Sequence, residues 1–90
     1  SGHREIDIVA RKDDTIVFVE VKARANAFYG RPEDAVTLRK MHLLVLAADA
    51  YLRYYAIDLE VRFDVIAITG TTDKPHIRHY EHAFRPGIGI

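Results

Sequence analysis

Residues 15–23 read Thr-Ile-Val-Phe-Val-Glu-Val-Lys-Ala, and no other stretch limits the fold as much. The odd positions Val17, Val19 and Val21 are apolar, and so are the even positions Ile16 and Phe18, until Glu20 and Lys22 break the pattern. β-Branched and aromatic residues at this density favour an extended strand. A strand apolar on both faces needs cover on both sides, so it belongs inside a sheet. The chain must then supply neighbouring strands and a layer to pack on them. Its 90 residues allow a single two-layer core, because a chain this size buries only roughly 60–65% of its unfolded surface.

The flanking sequence supplies those parts. Glu5, Asp7 and Val9 alternate with Ile6, Ile8 and Ala10, which predicts a strand over 5–10. Arg11-Lys12-Asp13-Asp14 reads as a turn, since Asp tolerates the left-handed conformations of tight hairpins. With Asp13-Asp14 as a two-residue loop, Lys12 faces Thr15, Val9 faces Phe18, Asp7 faces Glu20 and Glu5 faces Lys22. Thr37 is the expected N-cap of a helix reaching about Tyr55, with Met41, Leu44, Val45, Ala48, Leu52 and Tyr55 as its buried stripe. A strand follows over 60–69, then a turn over 70–75, a short edge strand over 76–80 and a loose tail from Ala83. Neither repeats nor a linker interrupt the chain, so residues 1–90 are expected to form one α/β domain, a mixed sheet with one long packed helix.

Absences remove whole classes of chemistry. There is no Cys, hence no thiolate zinc site and no cysteine nucleophile. Ser1 is the only serine, which rules out a serine triad. The five glycines form no phosphate-cradling loop. The longest apolar run, residues 43–48, is far below the ~20 residues of a membrane span. Without a signal peptide, a cytoplasmic location and no membrane partner are expected. Thirteen basic residues balance thirteen acidic ones, so nucleic-acid binding would have to come from local clustering. Ser1-Gly2-His3 lacks an initiator Met and reads as a cut point, so a segment ahead of it is expected.

The expected hairpin register sets Asp7 beside Glu20 and Glu5 beside Lys22 on one sheet face. Opposed residues have Cβ atoms roughly 4.5–5.5 Å apart, and two carboxylates at that distance repel. A divalent cation between them is the economical answer, and Mg²⁺ accepts one or two carboxylates plus water and phosphate oxygens. Lys22, two residues beyond Glu20 on the same face, could then orient water or meet charge growing on a phosphate. The same spacing also fits a salt-bridged strand end, with Lys22 paired to Glu20 and Glu5 and with Asp7 exposed.

Asp7 followed thirteen residues later by Glu20-Val21-Lys22, at the end of a hydrophobic strand, resembles the PD-(D/E)xK signature of restriction-endonuclease-like nucleases. The blocks EIDIVAR (5–11), VFVEVKAR (17–24), GRPEDAVT (30–37) and RFDVIAI (62–68) further resemble the YraN family. Those are small bacterial proteins considered similar to Holliday-junction resolvases. The resemblance runs from about Glu5 to Phe84. It implies a restriction-endonuclease-like fold and a Mg²⁺- or Mn²⁺-dependent endonuclease acting on structured or branched DNA. It further implies Asp7, Glu20 and the Val21 carbonyl as metal ligands, Lys22 as the catalytic lysine, and Glu5 as the family's site glutamate. Arg4 stands where the family has Gly, and the resemblance implies an N-terminal helix and a first strand that this sequence does not include.

Weaker signals point the same way. From Lys22 to His42, Lys22, Arg24, Arg31, Arg39 and Lys40 outweigh Glu33 and Asp34, leaving +3 in a neutral protein. Arg39 and Lys40 fall in the first helical turn, where the dipole disfavours cations, which suits phosphate contact. Arg24, Arg31, Arg39 and Lys40 are thus the candidate nucleic-acid contacts. Phe28 and Tyr29 offer stacking or packing rings. His76, His79 and His82 are three apart, and neighbours at that spacing in a strand point to opposite faces, which argues against a metal triad. Arg62 and Asp64 share a strand face and read as a buried pair. Ile6, Ile8, Val17 and Val19 fall on the face away from the charges, and a homodimer covering them is expected. The rival to a nuclease is a nucleic-acid-binding module on a nuclease scaffold, without turnover.

Overall fold

The computed structural model describes residues 6–23 and 36–85. Its elements are β1 (Ile8–Lys12), β2 (Thr15–Ala23), α1 (Leu38–Tyr54), β3 (Glu60–Gly70) and β4 (Pro75–Phe84). The strands form one sheet in the order β1-β2-β3-β4, so β2 is interior, as its two apolar faces require. The outer pairs β1–β2 and β3–β4 are antiparallel and the inner pair β2–β3 is parallel. A parallel pair needs a crossover connection, and α1 lies within it. Over the described residues the result is an α/β mixed sheet with one helix, consistent with a restriction-endonuclease-like arrangement.

The hairpin register is the one expected: Lys12 pairs with Thr15 and Val9 with Phe18. Asp13 takes φ 55°, the left-handed conformation a two-residue hairpin needs. Arg11 and Lys12 are strand residues, however, and not part of the turn, because both complete ladder pairs with β2. The strand begins at Ile8, leaving Ile6 and Asp7 just outside it.

Thr37 caps α1, its Oγ1 accepting the Lys40 N–H at 3.1 Å. At the other end the Ile57 N–H reaches the Leu52 carbonyl and the Ala56 N–H the Arg53 carbonyl, a Schellman closure. Ala56 holds the left-handed position, φ 52°, that glycine usually fills. The buried residues of α1 are Met41, Leu44, Ala47 and Ala48. Tyr55, expected in the stripe, is instead 58% exposed because the helix ends at Tyr54. Tyr51 takes the packing role, edge-on to Phe18 at 5.7 Å.

The last strand is longer than its sequence suggests. β4 continues past Tyr80 to Phe84, and Ala83 and Phe84 are core residues, not a loose tail. A register shift between Phe63 and Val65 lets it continue: residues 81–83 oppose Asp64 alone. Phe84 then stacks on Phe63 (5.0 Å between centroids, 18°), and Phe63 on Phe18 (5.9 Å, 30°). These three rings form a row across β2, β3 and β4 beneath α1, joined by Ile16, Val65, Met41, Leu44 and Ala48. At the β3–β4 turn Gly70 has φ +85°, and a Cβ there would stand 2.5 Å from the Lys74 carbonyl oxygen, so only glycine fits.

The apolar residues opposite the helix do not form the bare face expected of them. Val17 and Val19 are buried in the single chain, and Ile6 packs against the helix-side cluster instead. Only Ile8, 43% exposed, remains open of the four. A homodimer on that face would find Ile8 alone of these four open to it.

Candidate metal centre

Because Ile16 and Phe18 face α1, so do the even positions that follow them, Glu20 and Lys22. Glu20 thereby enters the helix–sheet layer and is only 4% exposed. Asp7 precedes β1 on the neighbouring edge. Its Oδ2 accepts the Val21 N–H at 2.8 Å, a bond the ladder would otherwise have supplied. A strand residue sends its N–H and C=O to the same side, so the Val21 carbonyl leaves on Asp7's edge as well. Across the layer, Lys40 in the first turn of α1 brings Nζ to 3.9 Å from Glu20 Oε2.

Electrostatics at Glu20 are dominated by burial, which raises its pKa to about 7. The Lys40 ammonium opposes that rise, Asp7 adds to it by charge and by a shared proton between the two carboxyls, and Lys22 opposes it again. Glu20 and Asp7 therefore lie close together, although the paired ladder ends at Ile8 and Val19 and Asp7 stands just outside it. With both ionised, Glu20 Oε1 is buried without a donor. A proton or a cation between the carboxylates would satisfy it. Among the described residues no group of three or more His, Cys, Asp or Glu could hold a metal ion. A cation here would rest on two carboxylates, a main-chain carbonyl and solvent or substrate oxygens, a shell Mg²⁺ accepts.

Of the remaining sequence candidates, Arg39 lies exposed in the first turn of α1. Glu5, Arg24 and Arg31, with Phe28 and Tyr29, lie outside the described residues. Lys40, a candidate phosphate contact by sequence, lies beside the buried carboxylate. Its position one helical turn past the N-cap was the available signal, but which strand residue it would meet was not.

A second polar cluster occupies the opposite sheet face. Asp64, 1% exposed, receives Arg62 Nε and Nη2 on its two oxygens at 2.9 Å each. His79 Nε2 lies 2.7 Å from Oδ2 and the His82 N–H donates to Oδ1 at 3.1 Å. Burial alone would raise the Asp64 pKa, but the bonds from Arg62, His79 and His82 outweigh it and hold the carboxyl below its usual range. The buried pair read from sequence is present, and His79 joins it. His79 and His82 converge on Asp64 because the β4 irregularity turns His82 to φ 52°.

Comparison with known proteins places this sequence in a family. The profile of the uncharacterised protein family UPF0102 matches residues 1–68. A UPF0102 protein of Bacteroides thetaiotaomicron is 47% identical over 87 residues, covering 97% of this chain and 72% of the relative. The chain belongs to UPF0102, the YraN-like family. Other UPF0102 proteins agree: one of Porphyromonas gingivalis is 49% identical, covering 93% of this chain and 64% of the relative. One of Flavobacterium psychrophilum is 44% identical, with 89% and 67% covered. As a UPF0102 domain it has no described helix long and apolar enough to cross a membrane.

Proposed function

We propose that this UPF0102 domain is a divalent-cation-dependent endonuclease that hydrolyses phosphodiester bonds in structured or branched DNA of the cytoplasm. The observation that carries this reading is the buried, donorless Oε1 of Glu20, on a carboxyl that interacts with Asp7. Asp7, Glu20 and the Val21 carbonyl would hold Mg²⁺ or Mn²⁺, which when bound supplies an activated water and a Lewis acid for the phosphate. Lys22 shares Glu20's face and lies near enough to act on its charge. Its ammonium there can orient the attacking water or balance charge on the phosphate. Arg39, with Arg24 and Arg31, supplies phosphate contacts that position the strand and carry no sequence information.

The second reading is a DNA-binding module without turnover. It is favoured by the Lys40 ammonium, which already places positive charge beside Glu20. Cleavage of branched, duplex and single-stranded substrates with Mg²⁺ or Mn²⁺ separates the two. Under the nuclease reading Glu20→Ala and Lys22→Met abolish cleavage. Lys22→Met would weaken DNA affinity by no more than one phosphate contact, lowering the salt slope by about one. If Lys22→Met cleaves like wild type, the catalytic role of that lysine is wrong. Metal-independent binding with no cleavage of any substrate favours the module.

A further inference from the structure

Lys40 stands where the helix dipole works against a cation, and its side chain is 30% exposed, so water is within reach. It nevertheless lies 3.9 Å from Glu20 Oε2. Its main chain is fixed by the Thr37 cap, but the four-carbon stem beyond it is flexible and ends in a point charge. Glu20 thus meets an ammonium at one oxygen, while the other is buried without a donor and the carboxyl interacts with Asp7. An ammonium and a divalent cation would compete for the same carboxylate charge.

We propose that Lys40 is a built-in counter-ion of the metal site. It neutralises Glu20 in the metal-free protein, and a cation bound between Glu20 and Asp7 releases its ammonium to a DNA phosphate. This rests on the reading of Glu20 and Asp7 as metal ligands. The consequence is a coupling between two ligands. Metal raises the affinity for phosphate through Lys40, and phosphate, by holding the ammonium away, raises the affinity for metal by the same factor. A long stem with several rotamers suits this exchange, and Arg39, exposed beside it in the same turn, contacts phosphate with or without metal.

Mn²⁺ titration of the full chain without DNA, read by electron paramagnetic resonance, tests the first half. Lys40→Met is expected to bind Mn²⁺ about tenfold more tightly than wild type, since a unit charge near 4 Å is removed. Lys40→Arg, which keeps the charge, is expected to bind as wild type does. Salt-dependent binding to a DNA duplex tests the second half. Lys40→Met should lower the salt slope by about one with Ca²⁺ present and leave it unchanged in chelator. Unchanged or weaker Mn²⁺ affinity in a folded Lys40→Met overturns the proposal, as does an equal loss of slope with and without metal. Glu20→Gln is the separate control: if it binds Mn²⁺ like wild type, the metal-centre reading itself fails, whatever Lys40 does.

Discussion

Glu20 is a carboxyl forced into a protein layer by strand alternation, and its protonation is linked to stability. Its pKa in the fold, about 7, lies above its ordinary value of 4.5. Below about 4.5 both folded and unfolded chains hold the proton, and the fold has no penalty. As pH rises the unfolded chain releases the proton first, so stability falls until about pH 7 and is then level. Glu20→Gln removes this penalty. The variant should unfold at higher urea than wild type at pH 8 in chelator, by about 3 kcal/mol, and at the same urea near pH 4. A wild type no less stable at pH 8 than Glu20→Gln would mean the carboxylate is better compensated than its surroundings indicate.

At the level of elements, two termini and one irregular strand carry the testable energetics. Ala56 closes α1 in a left-handed conformation that strains any residue with a Cβ. Ala56→Gly should therefore stabilise the protein by about 0.5–1 kcal/mol. Thermal melts read this directly, and a destabilised variant would argue against the closure. Asp64 holds the β3–β4 irregularity by satisfying the His82 N–H that no ladder partner reaches. Asp64→Ala leaves that group without an acceptor and the half-buried Arg62 with only the exposed Glu81 at 3.9 Å, with an expected loss of about 3 kcal/mol in urea unfolding. Phe84→Ala removes the outer ring of the aromatic row and should cost about 3 kcal/mol. A change within a few tenths would mean that the end of β4 is as loose as its Pro- and Gly-rich surroundings suggest.

At the level of the molecule, the sheet brings the start of β1, the end of β2 and the first turn of α1 to one place, and cation binding there should couple to folding. Metal ligands must be deprotonated, so the coupling follows Glu20. Mn²⁺ at a hundredfold excess over its dissociation constant should stabilise the fold by about 3 kcal/mol at pH 8. Near pH 5, where Glu20 holds its proton, most of that gain should vanish. Melting curves with and without Mn²⁺ at the two pH values check this, and a pH-independent gain would place the ion elsewhere.

Local sequence determined much of this protein. The doubly apolar run set β2 as an interior strand, and a two-residue turn set the register of the β1–β2 hairpin. Thr37 set the start of α1, and alternation set Arg62 beside Asp64. These signals act between residues adjacent in a turn, a ladder or a helix, where backbone geometry leaves one arrangement. The tertiary structure alone decided the rest. Lys40 meets Glu20 only because α1 lies across that strand face. Ile6 joins the helix-side cluster because β1 starts two residues later. The run to Phe84 depends on Asp64 bonding a backbone N–H eighteen residues away. Such contacts join groups far apart in the chain, and which of them meet is set by how the crossover helix and the sheet pack, which no local pattern encodes.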